Sequence, residues 1–239
     1  MMFNNFEVTE LHPAPPGSST TCLAISSTLQ HLLTCPTLLA PTLWHLQNLN
    51  VPLRTLRGHT NPVTAAAFST GGELVTASKE RAVLWCLARG LEGEGVVVAR
   101  ELGEPRCAKM LHQEGDEGGW LGIGVGGQVW VIKMTFGKSE LGMKLAKVER
   151  LACLDCNTAS MTDLLFLHND GIQADNLMSE VKKTKEGKEG KMGNEDLVVA
   201  TAGEDRTVRI WRFGKEGEKK WEALQQGRHP IQILFRSTI

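Results

Sequence analysis

Two stretches of this chain repeat one another, and a repeat restricts the available folds more tightly than composition does. The first runs Leu53-Arg-Thr-Leu-Arg-Gly-His-Thr-Asn-Pro-Val-Thr-Ala-Ala-Ala-Phe68, then Glu73-Leu-Val-Thr-Ala-Ser78, then Ala82-Val-Leu-Trp-Cys-Leu87. Short apolar or alternating strands are divided there by turn residues at Gly71-Gly72 and Lys79-Glu80-Arg81. The second stretch spans Leu197 to Phe213, where Thr207, Arg209 and Trp211 alternate with Val208, Ile210 and Arg212. That period of two belongs to a strand.

Superposing the units fixes a register. His59 stands nine residues before Phe68, and Asn157 stands nine before Phe166, so Cys156-Asn157 falls on the Gly58-His59 position. Positions 58 and 156 are 98 residues apart, twice 49, which leaves room for one degenerate unit between them. Arg106–His112, Trp120–Gly126, Gln128–Met134 and Ala146–Leu154 supply its strands, and Thr20–Ser26, Leu29–Thr34, Thr42–Leu46 and Val51–Leu56 supply an earlier unit. High glycine, 25 of 239 residues, suits this turn-rich reading better than long helices.

Both clear units resemble the WD40 repeat family, whose hallmarks are a Gly-His pair, a Ser/Thr-rich second strand, an Asp-containing turn and a third strand ending in Trp. The resemblance implies an all-β, WD40-type β-propeller of about four blades plus extra terminal strands, forming an incomplete or open ring. Complete propellers hold about four to eight blades, so a small closed ring is the alternative. The expected organisation is an N-terminal segment over 1–19 with a candidate ring-closing strand at Phe3–Leu11, then blades at 20–57, 58–105, 106–155 and 156–227, and the first strand of a truncated fifth blade over 228–239. Within the fourth unit, 172–195 is rich in Lys and Glu and has no apolar side to bury, which predicts a disordered surface loop.

The family resemblance also implies a buried hydrogen-bonded clasp within a blade, built here from His59, Ser78, Glu80 and Trp85. Glu80 stands where Asp is usual, so an imperfect clasp is expected. The fourth blade keeps Thr201, Asp205 and Trp211 but has Asn157 in place of the His and Gly203 where Ser is common. A His beside a hydroxyl and a carboxylate could suggest a catalytic triad, but each group sits where the repeat needs a structural tie.

Other motifs are discounted on mechanism. Gly122-Ile-Gly-Val-Gly-Gly127 spells a dinucleotide fingerprint, yet Gln128–Lys133 follows as a strand where that site needs a helix N-terminus. Cys153-Leu-Asp-Cys156 has redox or half-zinc spacing but no second ligand pair. No enzyme, cofactor or metal is therefore expected. The balance of 26 basic and 27 acidic residues argues against a generally basic nucleic-acid binder. No apolar run reaches the ~18–20 residues of a membrane span. With no secretory leader pattern and six irregularly spaced cysteines, a cytoplasmic or nuclear location is expected.

The expected function is a non-enzymatic scaffold or adaptor that binds a protein or peptide through propeller loops. Arg57, Lys79, Arg81, Glu204 and Arg206 are the candidate contacts, with Lys79 and Arg206 foremost because long cations on rigid turns suit a partner's carboxylate or carbonyl. The alternative is a truncated propeller fragment that functions only within a larger assembly, its open sheet edges a liability to self-association.

Overall fold

The structure, a computed structural model, describes residues 19–26, 28–87, 95–112, 118–139, 142–155, 159–167, 197–213 and 221–228. Among these every regular element is a strand. Four four-stranded antiparallel sheets follow one another along the chain, each a simple up-and-down meander. The first holds β1 (Thr20–Ser26), β2 (His31–Pro36), β3 (Thr42–His45) and β4 (Asn48–Thr55); the second holds β5 (Val63–Phe68), β6 (Glu73–Ser78), β7 (Arg81–Cys86) and β8 (Val96–Arg100). The third comprises β9 (Pro105–His112), β10 (Gly118–Val125), β11 (Gln128–Ser139) and β12 (Gly142–Asp155); the fourth comprises β13 (Met161–Leu167), β14 (Leu197–Gly203), β15 (Thr207–Phe213) and β16 (Trp221–Arg228).

The opening strands of successive sheets pack side by side, β1 on β5, β5 on β9 and β9 on β13, so the sheets radiate as blades from a shared inner row. Three apolar cores fill the gaps between them. Leu33, Cys35, Leu43, Leu74 and Trp85 lie between blades one and two. Val75, Ala77, Leu84, Leu121, Ile123, Met134 and Phe136 lie between two and three. Val129, Val131, Met161, Leu164, Phe166 and Val199 lie between three and four. A blade with a neighbour on each side buries both faces of its middle strands, and β6 is accordingly buried at every position. No comparable packing joins the fourth blade back to the first among the described residues. Leu23 and Ile25 on β1 are 63% and 64% exposed, and Leu165 on β13 is 37% exposed, so the array is apolar at both ends.

The third blade departs from the expected strand limits. β11 and β12 continue to Ser139 and back from Gly142, beyond the expected stop at Met134 and start at Ala146. Alternation persists through Phe136, which is 1% exposed and anchors the extension in the core between blades two and three. β16 runs to Arg228, and the candidate strands at 3–11 and 231–235 and the charged stretch 172–195 lie outside the described residues.

The glycines of 122–127 serve close approach. A Cβ at Gly122 would stand 2.8 Å from Leu164 Cδ1, and one at Gly124 would stand 2.5 Å from Cys107 Sγ and 2.8 Å from Met161 Sδ. Side chains there would push β10 away from the inner strand of blade four. Gly126 turns the hairpin at φ +54°, and β11, a strand, follows directly.

Candidate functional site

Two structures share one end of the blades: a buried clasp in the second blade, and a cleft where the inner strands of three blades meet.

The clasp holds His59 against β6 and β7. His59 Nδ1 lies 2.8 Å from Ser78 Oγ, and His59 Nε2 lies 2.8 Å from Thr76 Oγ1. Trp85 Nε1 donates to the same Thr76 oxygen at 2.8 Å, and Ser78 Oγ donates to the Arg81 carbonyl at 3.3 Å. Each hydroxyl has one proton to give, so one arrangement satisfies every group. Trp85 donates to Thr76, Thr76 to His59 Nε2, His59 Nδ1–H to Ser78, and Ser78 to Arg81. The network thereby assigns a neutral, Nδ1-protonated imidazole. Burial pushes the His59 pKa down to about 4, against a smaller upward pull from Glu80.

Glu80 takes a different place from the one expected. Its carboxylate accepts from Thr60 N at 2.6 Å and Thr60 Oγ1 at 2.5 Å, not from the imidazole. Those two bonds hold the Glu80 pKa down at about 2. There the carboxylate ties the loop before β5 to the β6–β7 turn. Arg81 completes this tie with Nε 3.4 Å from Glu80 Oε1. In the fourth blade Asp205 accepts from Thr207 N at 3.0 Å and Thr207 Oγ1 at 2.7 Å, while Trp211 Nε1 reaches Thr201 Oγ1 at 3.4 Å. Asn157 lies outside the described residues.

Thr76 was absent from the expected clasp, and so was its counterpart in the first blade, where Trp44 Nε1 donates to Thr34 Oγ1 at 2.9 Å. A common register underlies all three pairs. The residue opposite the position two before the Trp is Thr34, Thr76 and Thr201 in blades one, two and four. In blade three that position is Val125, opposite Gln128, and the buried Trp130 Nε1 has no hydrogen-bond partner among the described residues. Arg150 covers the Trp130 ring instead, its guanidinium carbon 4.7 Å from the ring centroid.

The cleft has a volume of about 490 Å³ and is lined by Thr21 of blade one, Asn61, Pro62, Thr64 and Lys79 of blade two, and Glu104, Pro105 and Arg106 of blade three. Its floor is stitched across blades: Thr21 Oγ1 donates to the Val63 carbonyl and Thr64 Oγ1 to the Pro105 carbonyl, each at 2.6 Å. The rim is fastened as well, by Glu101 N to Glu80 O at 2.7 Å and Gly103 N to Lys79 O at 3.2 Å. Lys79 and Arg106 are exposed and form no ion pair among the described residues.

Of the expected contact residues, Lys79 therefore lines the cleft, and Arg81 is committed to Glu80. Arg57 is exposed in the loop before β5. Glu204 and Arg206 are exposed on the β14–β15 turn of blade four, where Arg206 adopts φ +60° and its N–H closes the turn on the Gly203 carbonyl at 3.0 Å. No group of His, Cys, Asp and Glu side chains suited to a metal ion occurs among the described residues.

The family model of the WD domain, G-beta repeat (WD40), matches residues 50–85 and 191–212, the segments that hold the clasp and the β14–β15 hairpin. The chain carries WD40 repeats. Its four sheets are arranged as the blades of a WD40-type β-propeller, and no closed ring forms among the described residues. The crystal structure of Saccharomyces cerevisiae Sqt1 is similar in fold, with a TM-score of 0.55 and 18% sequence identity, covering 81% of this chain and 45% of that one. The chain thus spans less than half the length of that structure. No curated protein matches its sequence. No helix among the described residues is long and apolar enough to cross a membrane.

Proposed function

We propose that this WD40 array is a scaffold or adaptor whose cleft takes an extended peptide segment bearing a carboxylate. The observation that carries this reading is the cleft itself. Three blades converge on it, side-chain and backbone hydrogen bonds fasten its floor and rim, and Lys79 and Arg106 project into it without ion-pair partners among the described residues. A prefastened site loses little conformational freedom on binding. Glu104 on the same wall disfavours a run of acidic residues and favours a single carboxylate. Arg57, Glu204 and Arg206 extend the contact surface outward on neighbouring loops.

Panning a displayed random-peptide library against the purified chain tests this. Recovered peptides should share an Asp or Glu. Lys79→Ala and Arg106→Ala should each weaken them by about tenfold to a hundredfold, the value of a charge-assisted hydrogen bond. Peptides that bind both variants as tightly as the parent would remove the cleft from the account.

A second reading rests on the exposed Leu23, Ile25 and Leu165. Here the four blades work inside a larger assembly whose further blades cover both ends. Light scattering separates the two: a stable monomer near the 26.2 kDa of the chain supports the self-sufficient adaptor, and association or aggregation supports the assembly.

A further inference from the structure

Cys22 of β1 and Cys35 of β2 are directly opposed across the antiparallel pair. Opposed residues project on the same face of a sheet, and both side chains pack into the core between the first two blades. Opposed α-carbons lie about 4.5–5.5 Å apart, within the ~4.4–6.8 Å that a disulfide spans. Both are free thiols. A hydrogen bond between them holds Cys22 below the ordinary thiol value, while the same bond and burial push Cys35 up. Their accessibility differs: Cys35 is fully buried and Cys22 only half-buried.

The other described cysteines stand opposite residues of other types. Cys86 opposes Glu73, Cys107 opposes Gly124 and Cys153 opposes Trp130. Burial, with Asp163 adding to it, also raises the Cys107 thiol to about 12.

We propose that Cys22 and Cys35 form a thiol–disulfide modification site, oxidised by a small disulfide such as oxidised glutathione to a cross-strand disulfide. The half-buried Cys22 thiolate attacks one sulfur of the reagent, forming a mixed disulfide and expelling the first glutathione thiolate. Cys35, directly opposite on β2, loses its proton and attacks the Cys22 sulfur, forming the intramolecular bond and expelling the second. Two protein thiols are oxidised, one reagent disulfide is reduced, and the two thiol protons leave with the two glutathiones. An accessible thiol backed by a resolving cysteine is the arrangement such exchange needs.

The site has a structural consequence because β1 is the edge strand of its sheet. Beside the pair, Thr21 Oγ1 is within donating distance of both the Cys35 carbonyl, at 2.7 Å, and the Val63 carbonyl. A disulfide would make the β1–β2 connection covalent at the point where blade one is tied to blade two.

The sequence makes the test direct. No Lys or Arg precedes Arg54, so complete trypsin cleavage places both cysteines, and no others, on the peptide Met1–Arg54. The reduced, folded full chain is treated with oxidised glutathione, quenched in acid, unfolded, alkylated and digested for mass spectrometry. The peptide should lose two hydrogens and take no alkyl group. Cys35→Ala should leave one glutathione on Cys22, and Cys22→Ala should leave Cys35 free. Two alkyl groups on Met1–Arg54 while the exposed Cys153 has reacted would overturn the proposal, as would an unresolved glutathione on Cys22 in the parent chain. If Cys35→Ala fails to fold, the parent mass and Cys22→Ala, whose side chain is only half-buried, still decide the matter.

Discussion

Replacing Thr76 by Val removes the hydroxyl on which the clasp turns and preserves the side chain's shape. Thr76 is 0% exposed and Trp85 is 2% exposed, so water cannot substitute for the lost oxygen. Two groups are left without it: the Trp85 N–H that donates to it and the His59 Nε2 that accepts from it. A buried polar group stripped of its partner costs about 1–3 kcal/mol, and the added methyl returns up to about 1 kcal/mol of apolar burial. With two such groups, the expected net loss is about 1–5 kcal/mol. Thr76→Ser keeps the oxygen and deletes one methyl, for about 1 kcal/mol. Thr201→Val supplies an internal control. Its Trp211 bond is 3.4 Å long, Trp211 is only half-buried, and no described His joins it, so its cost should stay near 1 kcal/mol. Urea unfolding followed by tryptophan fluorescence gives the three values, provided the denaturant slope is unchanged. If Thr76→Val costs no more than Thr76→Ser, the hydroxyl is not the centre of the clasp and the donor chain is misassigned.

The neutral imidazole makes a pH prediction. With its pKa at about 4 in the fold and near 6.5 in the unfolded chain, His59 takes up a proton more readily when unfolded. Stability should therefore be full above pH 6.5 and fall by about 3 kcal/mol as pH drops towards 4. The Glu80 carboxylate adds a separate loss below its unfolded value of 4.5, continuing towards 2. His59→Gln should flatten the upper window alone, as thermal melts across pH would reveal; a slope unchanged by the substitution would clear His59. Val125→Thr should give the unpaired Trp130 N–H an acceptor and raise stability by about 1 kcal/mol in the same urea assay. Gly122→Ala should cost about 1–3 kcal/mol, because its Cβ would meet Leu164 and Phe166 of the next blade. A neutral result there would mean blade four stands further off.

The architecture was legible because it repeats. Alternation and turn residues delimit short segments, and two Trp-ended units calibrate the spacing of the rest. Thr76 stayed hidden because threonine is ordinary in a strand. Only the cross-strand register shows that Thr34, Thr76 and Thr201 stand in one relation to their tryptophans. The role of Glu80 was not legible because the family pattern gives a residue type its role, whereas in the fold both carboxylate oxygens are taken up by Thr60. The cleft had no local signal: Thr21, Lys79 and Arg106 come from three units and meet only when the inner strands pack. Phe136 carried the third-blade hairpin further because its burial depends on Leu121 and its neighbours in space.

The row of described blades also sets how the molecule comes apart. Blades two and three each share a core on both sides, whereas blades one and four share one each among the described residues. In a linear row of this kind, stability is a sum of each unit's own term and its contacts with neighbours, so the outer units open at lower free energy than the inner ones. Amide exchange should accordingly be slowest along β6 and β10 and faster along β2 and β14. The clasp of Thr76, His59 and Trp85 lies in an inner unit. Exchange would reveal a graded molecule, with its most persistent hydrogen bonds beside the cleft and its most transient ones at the two apolar ends.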